Sequence, residues 1–349
     1  YGACLLGSIN LAKLVKNPFD ENAVLDEDEL ARLTRTAVRM LDNVIDISRF
    51  PLEAQRAEAM AKRRIGLGVT GLADALIFCR VRYGSPESLK LIDRWLSVLC
   101  HAAYDASADI AAEKGAFPLF DREEFLARPF VQRLPQTIRD KIAAHGIRNG
   151  LVTSIAPTGT ISLFADNVSS GIEPVFAYSF TRHVLRADGT RSEERVSDYA
   201  WRAFRARFGE DATLPDYFVS AQELIPDDHL AVQAVAQKHI DSSISKTINV
   251  PQSISFEAFK DVYLKAYETG CKGCTTYRPN AITGAVLETV AETKPIENAD
   301  QPSLPLPVPK GAGDVVYMTR PLDRPELLTG QTYKIKWQDS DHAFYITVN

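Results

Sequence analysis

Two long stretches of helical periodicity, separated and followed by short apolar runs, limit this chain to a layered α/β architecture. From Asp26 to about Ser48 the residues Leu30, Leu33, Ala37, Met40, Leu41, Val44 and Ile45 recur at spacings of three and four behind an acidic start. That is the pattern of a helix with one core-facing side. A second stripe, Leu89, Ile92, Leu96, Leu99, Ala103 and Ala106, lies between Ser85 and Lys114. Ser85 suits its N-cap, Pro86 its first turn and Gly115 its C-terminal stop. The strand-like runs are shorter: Gly150 to Ile155, Phe176 to Leu185, Thr247 to Pro251 and Gly273 to Tyr277. Helices alternating with short buried strands predict a mainly parallel sheet or barrel.

With 349 residues, 45% hydrophobic and 24% charged, and a formal charge of -5, the chain has an ordinary globular composition and length for about two domains. Its charge argues against a partner such as a nucleic acid polymer held by bulk electrostatics. No apolar run reaches the roughly 18 residues of a membrane span, and no signal peptide pattern opens the chain. The expectation is a soluble cytoplasmic protein with no membrane partner. Five cysteines suit a reducing compartment. Tyr1 onward reads as interior sequence, so the chain is expected to be a piece of a longer protein.

Beyond Leu287 the pattern changes. Pro295, Pro302, Pro305, Pro307 and Pro309 fall in a stretch without periodicity, which reads as an extended linker. Thr332 to Trp337 and His342 to Val348 then alternate with period two and predict a β-hairpin, which two strands alone would hold only marginally. The expected division is 1–290, a linker over 291–313, and a truncated small β-containing region over 314–349.

The sharpest chemical feature is Ala156-Pro157-Thr158-Gly159-Thr160-Ile161-Ser162 after a strand-like run. Small hydroxyl residues around one glycine let backbone N–H groups approach an anion, and a helix starting there would add its positive end. An ordinary strand-to-helix turn would use the same residues as caps. No Walker lysine follows, which excludes a P-loop. Gly66-Leu67-Gly68-Val69-Thr70-Gly71 looks like a dinucleotide fingerprint but follows Lys62-Arg63-Arg64. Close packing of two backbones is the better reading of its glycines.

Cys4 sits among small apolar residues, where an inert thiol is the ordinary expectation. Cys271 and Cys274 form a C-x-x-C, half a zinc site or a redox pair. The two further ligands that zinc needs are missing from the pattern, so no metal site is expected. Cys79 and Cys100 read as packing residues. Glu173, between Gly171 and Pro174, is held in a constrained turn and reads as a structural cap.

Four segments together resemble the catalytic subunit of ribonucleotide reductases, most closely its adenosylcobalamin-dependent branch. They are Tyr1 to Leu11, Arg64 to Asp74, Ala156 to Ser162 and Gly270 to Arg278, in that order. The resemblance spans residues 1 to about 287, and the terminal hairpin is similar to the small domain that follows the barrel in long members. It implies the second half of a ten-stranded α/β barrel and the reduction of ribonucleoside diphosphates to 2'-deoxyribonucleotides, for DNA precursor synthesis. It assigns Pro157, Thr158, Gly159, Thr160, Ile161 and Ser162 to the substrate phosphates and Cys4 to a redox-active thiol. The partner thiol and the radical cysteine would lie upstream of Tyr1, leaving this piece inactive alone. Cys271 and Cys274 would fall in a barrel strand. Thr276-Tyr277 stands where the iron-dependent branch carries paired tyrosines, which favours adenosylcobalamin, although no residue here is assigned to it. The implied partners are the ribonucleotide, a thioredoxin-like or C-terminal cysteine reductant, the missing N-terminal part and a second copy in a homodimer. A glycyl-radical-type reductase fragment and a standalone nucleotide- or phosphate-binding module are the rival readings.

Overall fold

The computed structural model describes residues 2–185, 191–278, 288–289, 331–336 and 343–348. The chain divides into two compact units, 1–292 and 293–349. The expected linker over 291–313 lies outside the described residues.

The first unit opens with β1 (Leu5–Asn10) and a small antiparallel ladder of β2 (Val15–Lys16) and β3 (Val24–Leu25). α1 (Glu27–Ile47) starts at an Asp26 cap whose carboxylate accepts the Glu29 N–H at 3.2 Å, and Glu27, Asp28 and Glu29 complement the helix dipole. Its buried side is Leu30, Thr34, Val38, Leu41, Asp42 and Ile45. α2 (Glu53–Lys62), β4 (Ile65–Thr70) and α3 (Leu72–Phe78) follow. α4 (Pro86–Lys114) begins at Ser85, which accepts the Ser88 N–H, and stops at Gly115 with φ +83°. α1 packs along α4, and Arg39 on one meets Glu113 on the other through two bonds of 2.8 and 2.6 Å.

α5 (Arg122–Ala127), α6 (Pro129–Gln132) and α7 (Gln136–His145) lead to the strand-like segment 151–155 and the single turn α8 (Ile161–Phe164). The hairpin β5 (Ser179–Leu185) and β6 (Arg191–Ser197) precedes α9 (Tyr199–Phe208) and α10 (Pro226–Gln237). β7 (Thr247–Asn249), α11 (Phe256–Glu268), β8 (Thr275–Tyr277) and β9 (Glu288–Thr289) complete the unit, with β9 pairing on β5. In the second unit, β10 (Gln331–Lys336) and β11 (Ala343–Val348) pair antiparallel.

Five segments of the first unit form one parallel row in sequence order. β1 pairs with β4 from Leu5↔Ile65 to Asn10↔Thr70. β4 is joined to 151–155 through the bridge Leu67↔Thr153 and the bond from Ile65 N–H to Leu151 O at 3.0 Å. That segment meets the next at Ile155↔Ile244, and β7 pairs with β8. Helices cross between successive strands, as parallel pairing demands. Among the described residues β1 and β8 have one strand neighbour each, so the row ends in two open edges.

One expectation needs correction, and the packing reading of the glycine-spaced segment holds. The strand expected from Phe176 begins at Ser179 and lies outside the parallel row, turned back on β6. Only residues 186–190 separate the two strands, too few for a parallel crossover. Gly66-Leu67-Gly68-Val69-Thr70 is itself a strand, buried at all six positions of β4. A Cβ on Gly68 would stand 2.1 Å from the Ser154 carbonyl oxygen, so its glycine serves strand packing. No helix among the described residues is long and apolar enough to cross a membrane.

Candidate functional site

The loop after 151–155 is shaped from two sides. The Thr158 hydroxyl lies 3.0 Å from that of Thr70 at the end of β4 and accepts the Gly171 N–H at 2.7 Å. Thr158 itself holds φ +52°, a left-handed backbone that a β-branched residue adopts only under constraint. Ser162 returns its N–H to the Thr158 carbonyl at 2.8 Å, and its hydroxyl lies 3.0 Å from Ser170 Oγ. Between these anchors the N–H groups of Gly159, Thr160 and Ile161 donate to nothing among the described residues. A Cβ on Gly159 would meet nothing within 4 Å. The expected helix is one turn, so the anion-attracting element is this short run of free donors and not a long dipole.

The free donors of Gly159 and Thr160 border a cavity of about 760 Å³ at the C-terminal ends of the strands, the end where parallel sheets place their ligands. Gly159, Thr160 and Ser162 line it, whereas Pro157, Thr158 and Ile161 do not. Glu173, Asn249 and Tyr277 form part of the facing wall.

Sequence reasoning missed the group behind Glu173. Lys246 is buried, and its ammonium reaches Glu173 Oε2 at 2.7 Å, His229 Nδ1 at 2.8 Å and the Thr247 carbonyl at 2.5 Å. Burial, reinforced by that ammonium, pushes the His229 pKa down to about 3, so its ring is neutral. A charged residue inside the apolar run Ile244-Ser245-Lys246-Thr247-Ile248 was the available signal. Asp198 also lines the cavity and caps α9 by accepting the Trp201 N–H at 2.9 Å. Burial, then the charge of Asp74, holds its carboxyl well above the usual range.

Cys4 is exposed just before β1, at the opposite end of the row from the loop. Asn10 pairs with Thr70 at the loop end, and a rise of about 3.3 Å per residue puts Cys4 on the order of 20 Å below it. The structure therefore does not bring Cys4 and the loop into contact. Partial burial raises the Cys4 thiol above its ordinary pKa, with Arg64 opposing and Asp241 reinforcing this. Cys79, half-buried, is pushed up to about 12, and buried Cys100 is raised by desolvation as well. Cys271 and Cys274 do not fall in a strand as expected. They precede β8 and pack against the small cluster of Leu230, Ile248, Val250, Val262 and Ala266. Among the described residues no group of three His, Cys, Asp or Glu is placed to hold a metal.

Residues 1–277 match the family described as "Ribonucleotide reductase, barrel domain". The chain belongs to that family. Among ribonucleotide reductases it is 36% identical over 316 residues to the vitamin B12-dependent ribonucleoside-diphosphate reductase of Mycobacterium tuberculosis (strain CDC 1551 / Oshkosh), covering 86% of this chain and 42% of that protein. It is 35% identical over 319 residues to the protein of the same name in Thermoplasma acidophilum, covering 86% and 39%. The ribonucleoside-diphosphate reductase subunit alpha of Treponema pallidum is 30% identical over 279 residues, covering 78% and 31%. The chain thus spans about two fifths of the first two ribonucleotide reductases.

Proposed function

We propose that this chain supplies the substrate-phosphate half of a ribonucleotide reductase that converts ribonucleoside diphosphates to 2'-deoxyribonucleotides. The observation that carries the proposal is the pair of free N–H groups at Gly159 and Thr160 beside a nucleotide-sized cavity. The two open edges of the parallel row suit completion into a ten-stranded barrel by stretches that the longer relatives possess. Partners in this reading are the ribonucleotide, a thioredoxin-like or C-terminal cysteine reductant, and the remaining part of the same enzyme.

In this mechanism a thiyl radical on a cysteine outside this chain takes the 3'-hydrogen and gives it back to C3' at the end of turnover, which regenerates the radical. The 2'-hydroxyl leaves as water and is replaced by hydrogen. Two thiols supply the two electrons and two protons for this exchange and end as a disulfide. Cys4 is proposed as one of them. Its exposure admits a reductant, and its raised pKa keeps it a protonated hydrogen donor at neutral pH. Phosphates held at the loop would require the nucleotide to lie lengthwise along the row to bring its ribose toward Cys4.

The relatives' names carry vitamin B12 dependence, and adenosylcobalamin is the form proposed here, as the source of the radical. The described residues do not fit the cofactor itself: the cavity of about 760 Å³ has room for a nucleotide without a corrin beside it.

Calorimetric titration of the chain with pyrophosphate tests the loop. Gly159→Asp points a carboxylate into open space, so it should weaken binding at least tenfold without changing the unfolding midpoint. Equal affinity, or no binding by the unaltered chain, would overturn the phosphate reading.

A further inference from the structure

Glu173 occupies a position that a simple structural cap does not explain. Its backbone is fixed between Gly171, at φ +54°, and Pro174, and its N–H bonds the Ser170 carbonyl at 2.8 Å. Its Oε1 accepts the Thr247 N–H at 2.6 Å and its Oε2 accepts from Lys246. Each oxygen of a carboxylate can accept two bonds, so one site on each remains. The side chain is 24% exposed and lines the same cavity as the loop donors.

Lys246 has no such freedom. Its side chain is 0% exposed, and its three ammonium protons face three acceptors. It has nothing left to offer a ligand. Burial lowers the Lys246 pKa while Glu173 opposes this, and the three acceptors within reach match an ammonium standing directly behind Glu173. That charge lets a carboxylate share a cavity with an anion-binding loop without repelling the anion. A buried ion pair is weak evidence for stability, because desolvation offsets the attraction. A neutral side chain could cap the Thr247 N–H as well.

We infer that Glu173 is a ligand-contacting acceptor of this cavity, bonding a hydroxyl or amino group on the nucleoside portion of a bound nucleotide, and that Lys246 is its positioning residue. The inference rests on the phosphate-loop reading and adds a second contact to the same ligand. The loop recognises the phosphates whatever they are attached to. Glu173 recognises the part that inorganic pyrophosphate lacks.

Two probes separate these contributions: pyrophosphate and adenosine diphosphate, each titrated calorimetrically into the unaltered chain and into Glu173→Gln. The expected result is adenosine diphosphate binding weakened about tenfold while pyrophosphate binding is unchanged or tighter, since the Lys246 charge behind position 173 is then unneutralised. A parallel loss for both probes would mean that Glu173 only holds the fold, and would overturn the inference while leaving the loop reading intact. Unchanged or tighter binding of both would make Glu173 a bystander charge, and would overturn it too. No binding of either probe by the unaltered chain would sink the loop reading and this inference with it. If Glu173→Gln fails to fold, Glu173→Asp draws the carboxylate back by one methylene and is read by the same ratio.

Discussion

The hydroxyl oxygens of Thr70 and Thr158 lie 3.0 Å apart, tying the end of one strand to the loop that follows its neighbour in the row. The bond is buried, and the same Thr158 oxygen accepts the Gly171 N–H. The shape of the donor loop is thus set by β4 and by the following turn, and not by α8. Thr158→Val keeps the volume but leaves that N–H without an acceptor. It should cost about 1–3 kcal/mol in urea unfolding and weaken pyrophosphate binding. A change near zero in both would place control of the loop elsewhere.

Two glycines should answer substitution in opposite ways. Gly68→Ala drives a Cβ to 2.1 Å from a backbone oxygen that cannot swing aside, so a loss of about 3 kcal/mol or more is expected. Gly159→Ala meets open space and should leave the unfolding midpoint in place. Equal midpoints for the two variants would refute the close approach of β4 to 151–155.

Arg63 joins α1 to the start of the row. Its guanidinium bonds Asp42 Oδ1 at 3.0 and 2.9 Å and Asp46 at 2.7 Å, and Asp42 also accepts from Asn149. Arg63→Met takes away the closest partner of buried Asp42, to which Arg148 at 3.3 Å and Lys114 at 3.9 Å remain, so it should destabilise by about 3 kcal/mol, the low end for a broken buried pair, and adding Asp42→Asn should restore part of it. A strictly additive double variant would argue against the coupling.

His229 makes stability depend on pH. Its folded pKa, about 3, lies below the ordinary histidine value, so the native state binds fewer protons than the unfolded chain in acid. Its contribution is complete above about pH 6.5 and is lost as pH falls toward 3, at about 1.4 kcal/mol per pH unit. Between pH 7 and 5 the unaltered chain should lose about 2 kcal/mol that His229→Gln does not. Identical pH profiles would mean that the ring titrates alike in the folded and unfolded chain.

Cys4 and Cys100 should differ in reactivity. Cys4 is exposed and Cys100 buried, so a thiol reagent at mildly alkaline pH should modify Cys4 and spare Cys100. Cys4→Ser should leave stability within about 0.5 kcal/mol. Mass mapping of the labelled chain decides the first point, and protection of Cys4 would argue against its proposed reductant role.

The sequence by itself determined the local features. The acidic start of α1, Ser85 as a cap, Gly115 as a stop and the buried stripes of α1 and α4 follow from short-range rules of charge, hydrogen bonding and period. The strand-like runs at Thr247 and Gly273 were legible as apolar segments, though shorter in the structure than in the pattern. The donor loop was legible as a cluster of small residues, but not which of them face the cavity. Tertiary structure alone decided that Thr70 meets Thr158 from 88 residues away, and that Lys246 backs Glu173 from 73 residues away. It also decided that Cys4 and the loop stand at opposite ends of one row. The physical reason is that caps and periodicity act within a turn or two of the chain. A buried lysine and its carboxylate find each other only once the order and register of parallel strands have been chosen.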